Sequence, residues 1–288
     1  MMENKNIVIT GANAGLGFET ARALAKMDAN VMMLCRSLEK GTLAADKIRA
    51  EYPSAKLQVL PVLLESQQNI RQVALKIREE FPVIDVLVNN AGTWISELTF
   101  TEDKVESMFA INHLAYFLLT HALYPNLILA KEPRVVSVAS DSHFQGKINF
   151  EDIHLTKNYH GLRAYAQSKL ANIHFMYELN RRKPAEHLST FAVQPGLVKT
   201  DIGVKKTNWL HALAWKLRRS GGVSPEVGAQ TQIFLASNPS IHEKSGLYWD
   251  KCKPKSSSAD TYKIEDAEKL WDLCCEFCKI DDFFKPDF

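Results

Sequence analysis

Short β-branched runs alternate with longer stretches of helical periodicity along most of this chain, and that alternation limits its fold more than any other feature. NIVIT (6–10), NVMMLC (30–35), LQVLPV (57–62), IDVLVN (84–89), RVVSVA (134–139) and STFAVQ (189–194) read as strands. LGFETARALAKM (16–27) and the segments near 39–51, 66–80, 102–131 and 161–183 read as helices. The strand runs are nearly continuously apolar, as in strands covered on both faces. Strands separated by helices pair in parallel through right-handed crossovers. The expected architecture is therefore α/β: a doubly wound parallel sheet with helices on both faces. A chain of 288 residues suits one large domain or two small ones. No repeat, low-complexity tract or linker divides it. KPKSSSAD (253–260) is the most loop-like stretch and lies close to the C-terminus. Residues 1–288 are expected to form a single domain with a C-terminal helix over about 264–279.

Composition excludes several classes of function. Apolar residues make up 46% and charged residues 24%, enough for a sizeable core and unlike a disordered chain. With 35 basic and 33 acidic residues the net charge is +2, so there is no electrostatic footprint for nucleic acid. Five cysteines without a secretion signal imply free thiols, a reducing compartment and a cytoplasmic location. The first periodic segment begins near Asn6, which leaves no expected leader or membrane anchor ahead of it. Ser107 to Ala130 lacks Lys, Arg, Asp and Glu and is long enough to span a bilayer. It also carries Asn112, His113, His121, Pro125 and Asn126, polar or helix-breaking groups that lipid would leave unpartnered. A helix buried in the protein or in a subunit interface is the reading kept.

The loop after the first strand shows what the sheet carries. Gly11, Gly15 and Gly17 lie between strand and helix, where a turn with positive φ and a close approach to backbone both call for glycine. The helix N-terminus behind them offers free N–H groups and a positive dipole end to a phosphate. The spacing G-x-x-x-G-x-G differs from the common G-x-G-x-x-G dinucleotide fingerprint and is a weak signal alone. At the end of the second strand, an acidic residue would grip the ribose 2′-hydroxyl of NAD, and a basic one accommodates the 2′-phosphate of NADP. This chain has Cys35 and Arg36 there, which favours NADP(H) while leaving NAD(H) usable. NNAG (89–92), with Asn89, Ala91 and Gly92, follows a strand directly and so lies at the ligand crevice. In YAQSK (165–169), Tyr165 and Lys169 share one helix face. Together these features describe a Rossmann sheet bearing a dinucleotide.

The same residues resemble the short-chain dehydrogenase/reductase family from Asn6 to about Asp250. The motifs are TGANAGLG (10–17), NNAG, the Asn in INHLA (111–115), the Ser in VVSVAS (135–140), YAQSK and PGLVKT (195–200). Within the family, CRSLEKG, NHLAYFLLTH, YAQSKLANI, GAQT and SGLYWDKC are similar to the retinol dehydrogenase group, whose membrane-bound members carry an N-terminal apolar anchor; none is expected here. The resemblance implies Asn112, Ser140, Tyr165 and Lys169 as a catalytic tetrad. It also implies Asn13, Leu16, Pro195, Gly196, Val198 and Thr200 as cofactor contacts beside the glycines. Tyr165 is then general acid in reduction and general base in oxidation. A free tyrosine has a pKa of about 10, too high for a base near neutrality, and an adjacent ammonium favours the phenolate. Ser140 is expected to bond the substrate oxygen, with Ser142 or a purely structural hydroxyl as alternatives. Asn112 is expected to hold a water that relays protons from Lys169. Two positions depart from the family pattern: Leu63, with Glu65 beyond it, stands where many members have an adenine-binding Asp, and Ala139 replaces a serine.

Other candidates have plainer readings. Cys275-x-x-Cys278 lies in a stripe with Ile264, Ala267, Trp271 and Cys274 at helical spacing, which is core rather than a zinc site. His143 and His160 read as solvated loop histidines near the substrate mouth. Residues 200–224 are expected to form a flap over the substrate. Its segment NWLHALAWKLRR (208–219) suits a lid helix, a helix on a membrane surface or an ordinary packed helix. The expected function is hydride transfer between NADP(H) and a lipophilic carbonyl or alcohol, in a homo-oligomer without a transmembrane span. The rivals are a 3-oxoacyl carrier-protein reductase and a non-catalytic NADPH-sensing regulator.

Overall fold

In a computed structural model, residues 2–198 and 222–287 are described. One eight-stranded sheet runs through them in the order β3-β2-β1-β4-β5-β6-β7-β8. The strands are β1 (Asn6–Thr10), β2 (Asn30–Cys35), β3 (Lys56–Pro61), β4 (Val86–Asn89), β5 (Arg134–Val138), β6 (Ser189–Gln194), β7 (Leu247–Asp250) and β8 (Lys253–Pro254). The first seven in spatial order pair in parallel, and β8 turns back antiparallel on β7. Chain progress runs outward from β1 through β2 to β3, then resumes on the other side at β4. That reversal opens a crevice beyond the carboxyl ends of β1 and β4.

Helices cover both faces and seal two apolar layers. On one side lie α1 (Gly15–Ala25) and α2 (Leu38–Glu51) with α7 (Pro225–Ser237), burying Leu24, Ile48 and Leu235 against Ile9 and Val31. On the other lie α3 (Gln67–Glu80), α4 (Ser107–Phe109), α5 (Ala115–Leu127), α6 (Gly161–Arg182) and α8 (Ile264–Cys278). They bury Ile70, Phe117, Ile173 and Trp271 around Val8 and Leu87. β3 departs from the expected two-sided cover: it is the outer edge of the sheet, and only Leu57 of its six residues is fully buried.

The expected helix over 102–131 is shorter and interrupted. Glu106 caps its start by accepting from the amides of Met108 and Phe109, and a π turn over Ala110–Leu114 joins α4 to α5. The segment is core, with twelve of the thirteen α5 residues buried. No helix among the described residues is long and apolar enough to cross a membrane. The sequence did not announce α7, β7 or β8. α7 contacts its neighbours through small and polar residues such as Gly228, Ala229 and Gln232, without the apolar stripe that periodicity detects.

Candidate active site

The loop from β1 into α1 has the geometry its glycines suggest. Gly11 and Gly15 take φ of +67° and +57°. A Cβ at Gly17 would lie 2.4 Å from the Gly11 carbonyl oxygen, so only glycine fits there without movement. Ala14 at the N-cap has no side chain to accept from the first-turn amides. The amides therefore remain available to an anion, and the cradle fits the pyrophosphate of a dinucleotide. Thr10 ties this loop to the next: its Oγ1 accepts from the amides of Asn90 and Ala91, each at 2.9 Å, and Asn90 Nδ2 donates to Thr10 O. Thr10 was not among the sequence candidates, though it opens the TGANAGLG motif.

The strand β4 exit corrects one assignment. Asn89 is fully buried and points into the sheet, donating to Thr120 Oγ1 and Ser137 Oγ. Asn90 and Gly92 line the crevice instead. Ala91 is half-buried, and its carbonyl accepts from Tyr116. The strand's alternation sends neighbouring side chains to opposite faces, and the motif alone did not say which asparagine faces out. Asn13 sits half-buried in the glycine loop, and Leu16 lines the crevice. Arg36 follows β2 directly, is exposed and makes no ion pair among the described residues. Leu63, at the adenine-side departure from the family pattern, is exposed, with its amide donating to Asn69 Oδ1.

A cleft of about 410 Å³ opens at the carboxyl ends of the strands, lined among others by Gly92, Ser140, Tyr165, Lys169, Pro195 and Gly196. Leu197 and Val198 extend that wall, while Thr200 and the flap segment 208–219 lie outside the described residues. Val198 and Val223 pair as a short parallel bridge. A Cβ on Gly196, at φ +81°, would meet no atom of the described residues within 4 Å.

Ser140 ends the β5 exit and caps the short 3₁₀ turn Asp141–Gln145. Its hydroxyl donates to Ser142 Oγ at 3.2 Å, and both serines line the cleft with Tyr165. Of the two, the Ser140 hydroxyl is the one that favours the Tyr165 phenolate. Tyr165 and Lys169 are one turn apart on α6, with Lys169 Nζ 5.6 Å from the Tyr165 ring centroid and donating to Val138 O at 3.0 Å. Asn112 sits in the π turn, and its side chain is already engaged. Oδ1 accepts from Thr93 N, and Nδ2 donates to Thr93 O and Ser168 Oγ. Its amide pins the loop after NNAG to α6, with both amide hydrogens donated within the chain.

Electrostatics in this cleft run against another expectation. Burial pushes Tyr165 up to about 12, with the Ser140 hydroxyl opposing, and pulls Lys169 down to about 7. Lys169 is buried and Tyr165 half-buried, with no carboxylate to offset the lost hydration, so desolvation outweighs the ammonium's pull on the phenol. The phenol is accordingly protonated at neutrality.

His143 also differs from its sequence reading. It is fully buried, with Nδ1 on Ser140 O at 2.7 Å and Nε2 accepting from the Ser258 amide at 3.0 Å. It braces the Ser140 turn against the C-terminal segment. His160 caps α6 by accepting from Leu162 N. Trp94 was missed: its indole packs on Tyr165 with ring centroids 5.6 Å apart and forms a cleft wall with Leu162. The cysteines of α8 are core or half-buried, and no metal-ligating cluster occurs among the described residues.

Comparison with known proteins agrees with this geometry. The family described as short chain dehydrogenase matches residues 5–211. Retinol dehydrogenase 12 of Mus musculus is 37% identical over 276 residues, covering 96% of this chain and 87% of that protein. A solved structure of an uncharacterized protein from Mycobacterium paratuberculosis is 31% identical with a TM-score of 0.77, covering 96% of this chain and 94% of that one. A short chain dehydrogenase from Shigella flexneri solved in complex with NADP shares the fold at 24% identity and a TM-score of 0.67, over 88% and 99% of the two chains. This chain belongs to the short-chain dehydrogenase/reductase family of nicotinamide-dependent oxidoreductases and is similar to its retinol dehydrogenase members.

Proposed function

We propose that this oxidoreductase interconverts a lipophilic carbonyl and its alcohol with NADP(H), using Tyr165 as general acid in reduction and general base in oxidation. The observation that carries this reading is Tyr165 and Ser140 lining one cleft, with Lys169 one helical turn from the phenol and its Nζ 5.6 Å from the ring. When bound, the nicotinamide accepts or supplies hydride, and the chain's task is to handle the accompanying proton. A phenol near pKa 12 holds its proton at neutrality, which suits the acid role in reduction. Ser140, on the same cleft, would share the substrate oxygen with the phenol. Lys169, when protonated, stabilises the phenolate left behind and would hold the cofactor ribose.

The cradle at Gly11–Gly17 would hold the pyrophosphate, with Asn13 and Leu16 beside it and Ala91 and Gly92 across the crevice. Pro195, Gly196 and Val198 would border the nicotinamide half. Arg36, exposed at the β2 exit with no carboxylate at that position, supports recognition of a 2′-phosphate. The apolar walls Trp94, Leu162 and Leu197, and the similarity to retinol dehydrogenase 12, support a lipophilic substrate.

Tyr165→Phe is expected to bind NADPH normally while kcat falls by about 10²–10⁴. Fluorescence titration of the cofactor and steady-state reduction of a panel of lipophilic aldehydes measure the two quantities. Wild-type turnover in that variant removes the mechanism. Arg36→Asp is expected to weaken NADPH by about tenfold or more and NADH little, since it removes one charge-assisted phosphate contact and adds repulsion. Equal losses for both cofactors would place Arg36 away from the phosphate.

A further inference from the structure

Behind the cleft, three fully buried polar side chains form a chain whose hydrogen directions are fixed by its two ends. Asn172, three residues after Lys169 on α6, donates from Nδ2 to Asn112 O at 2.9 Å and to Val138 O at 3.1 Å. Val138 O is also the acceptor for Lys169 Nζ. Carbonyl oxygens only accept, so the Asn172 amide cannot be reversed, and its Oδ1 must face His113 Nδ1, 3.0 Å away. An amide oxygen needs a donor there, which makes Nδ1 the protonated nitrogen of His113. The neutral ring then offers Nε2 as an acceptor, and Cys274 Sγ on α8 lies 3.3 Å from it with a thiol hydrogen to give. Asn172, His113 and Cys274 are each 0% exposed.

We propose that Asn172, oriented by the Nδ1–H tautomer of His113, is a positioning residue for the reaction: it fixes the two backbone carbonyls that locate Lys169 and the Asn112 turn. The inference rests on the proposed roles of Tyr165 and Lys169. With Asn172 in place, the carbonyl that Lys169 uses has a second donor and cannot rotate toward the cleft, so the ammonium keeps a single position beside Tyr165. The C-terminal helix thereby supports the catalytic helix through one imidazole. Burial reinforces the arrangement, since it holds His113 neutral with a pKa near 4 and keeps the Cys274 thiol protonated.

Two substitutions at His113 separate positioning from packing. His113 is enclosed by the rings of Phe109 and Phe175. Leucine fills that apolar space but leaves Asn172 Oδ1 without a donor. Asparagine packs less well but carries an N–H where Nδ1 stood. His113→Asn is expected to keep kcat within about threefold of wild type, while His113→Leu loses about tenfold or more. A merely structural histidine gives the opposite order, and His113→Leu turning over as fast as His113→Asn overturns the proposal. Ring ¹⁵N NMR of the wild-type protein, with the His113 signals identified by their loss in the variants, provides an independent readout. Nδ1 protonated and Nε2 bare from pH 6 to 8 is expected, and the reverse tautomer overturns the proposal even if a variant fails to fold. Failure of the catalytic reading itself registers separately, as retained activity in Tyr165→Phe.

Discussion

At the scale of single residues, the cleft trades stability for reactivity. Lys169 is 2% exposed, and its pKa is pulled down to about 7 because the folded state disfavours its charge. A base with a depressed folded pKa binds fewer protons folded than unfolded between about pH 7 and 10.5, so stability rises with pH across that window and is lost as pH falls through it. Lys169→Met removes the buried charge while keeping most of the volume. It is expected to raise Tm by several degrees near pH 7, by an amount that shrinks toward pH 10.5, while turnover collapses. Thermal melts at a series of pH values test this. A Tm below wild type at pH 7 would mean that the Val138 hydrogen bond outweighs the desolvation. Tyr165 and Lys169 were legible in the sequence because a spacing of four places two side chains on one helix face wherever that helix lies. The choice between Asn89 and Asn90, and the burial of His143, were not, because each depends on what packs against the residue from a distant segment.

At the scale of elements, the β1–α1 turn sets the cofactor cradle. Its glycines were legible because positive φ and close approach are local demands. Gly17→Ala brings a Cβ to 2.4 Å from Gly11 O and 2.5 Å from Asn90 Nδ2. Backbone on one side and a bonded amide on the other leave little room to yield. The expected cost is about 1–3 kcal/mol of stability, together with weaker NADPH binding, by calorimetry and titration respectively. Unchanged affinity would show that the loop relaxes freely. The π turn at Ala110–Leu114 was invisible in the sequence. The uncharged run fits any helix, and the extra residue in the turn is held by Asn112 and Asn172, whose partners Thr93 and Val138 lie on other elements.

At the scale of the whole molecule, two apolar layers pinch one sheet, and the C-terminal helix closes the layer behind the catalytic helix. Trp271 of α8 anchors that closure, 5% exposed, with ring centroids 5.1 Å from Phe117 and 4.5 Å from Phe283. Trp271→Ala is expected to cost about 3–5 kcal/mol through lost burial and a cavity. Urea unfolding measures this, and a loss below about 1 kcal/mol would mean that the phenylalanines collapse into the space. Cys274 and Cys278 beside Trp271 owe their burial to the same closure.

Alternation of strand and helix, the glycine turn, the Tyr165–Lys169 spacing and the order of motifs were all determined by the sequence alone. Each expresses a local preference: side-chain period, allowed φ, or the distance between neighbours on one helix. The tertiary structure alone decided that Asn90 rather than Asn89 meets the cleft, that Ser140 and Tyr165 line it together, that burial moves Tyr165 and Lys169 toward their neutral forms, and that His113 stands behind both. Those outcomes depend on desolvation and on hydrogen-bond partners far away in the chain, and neither exists until the two layers close on the sheet.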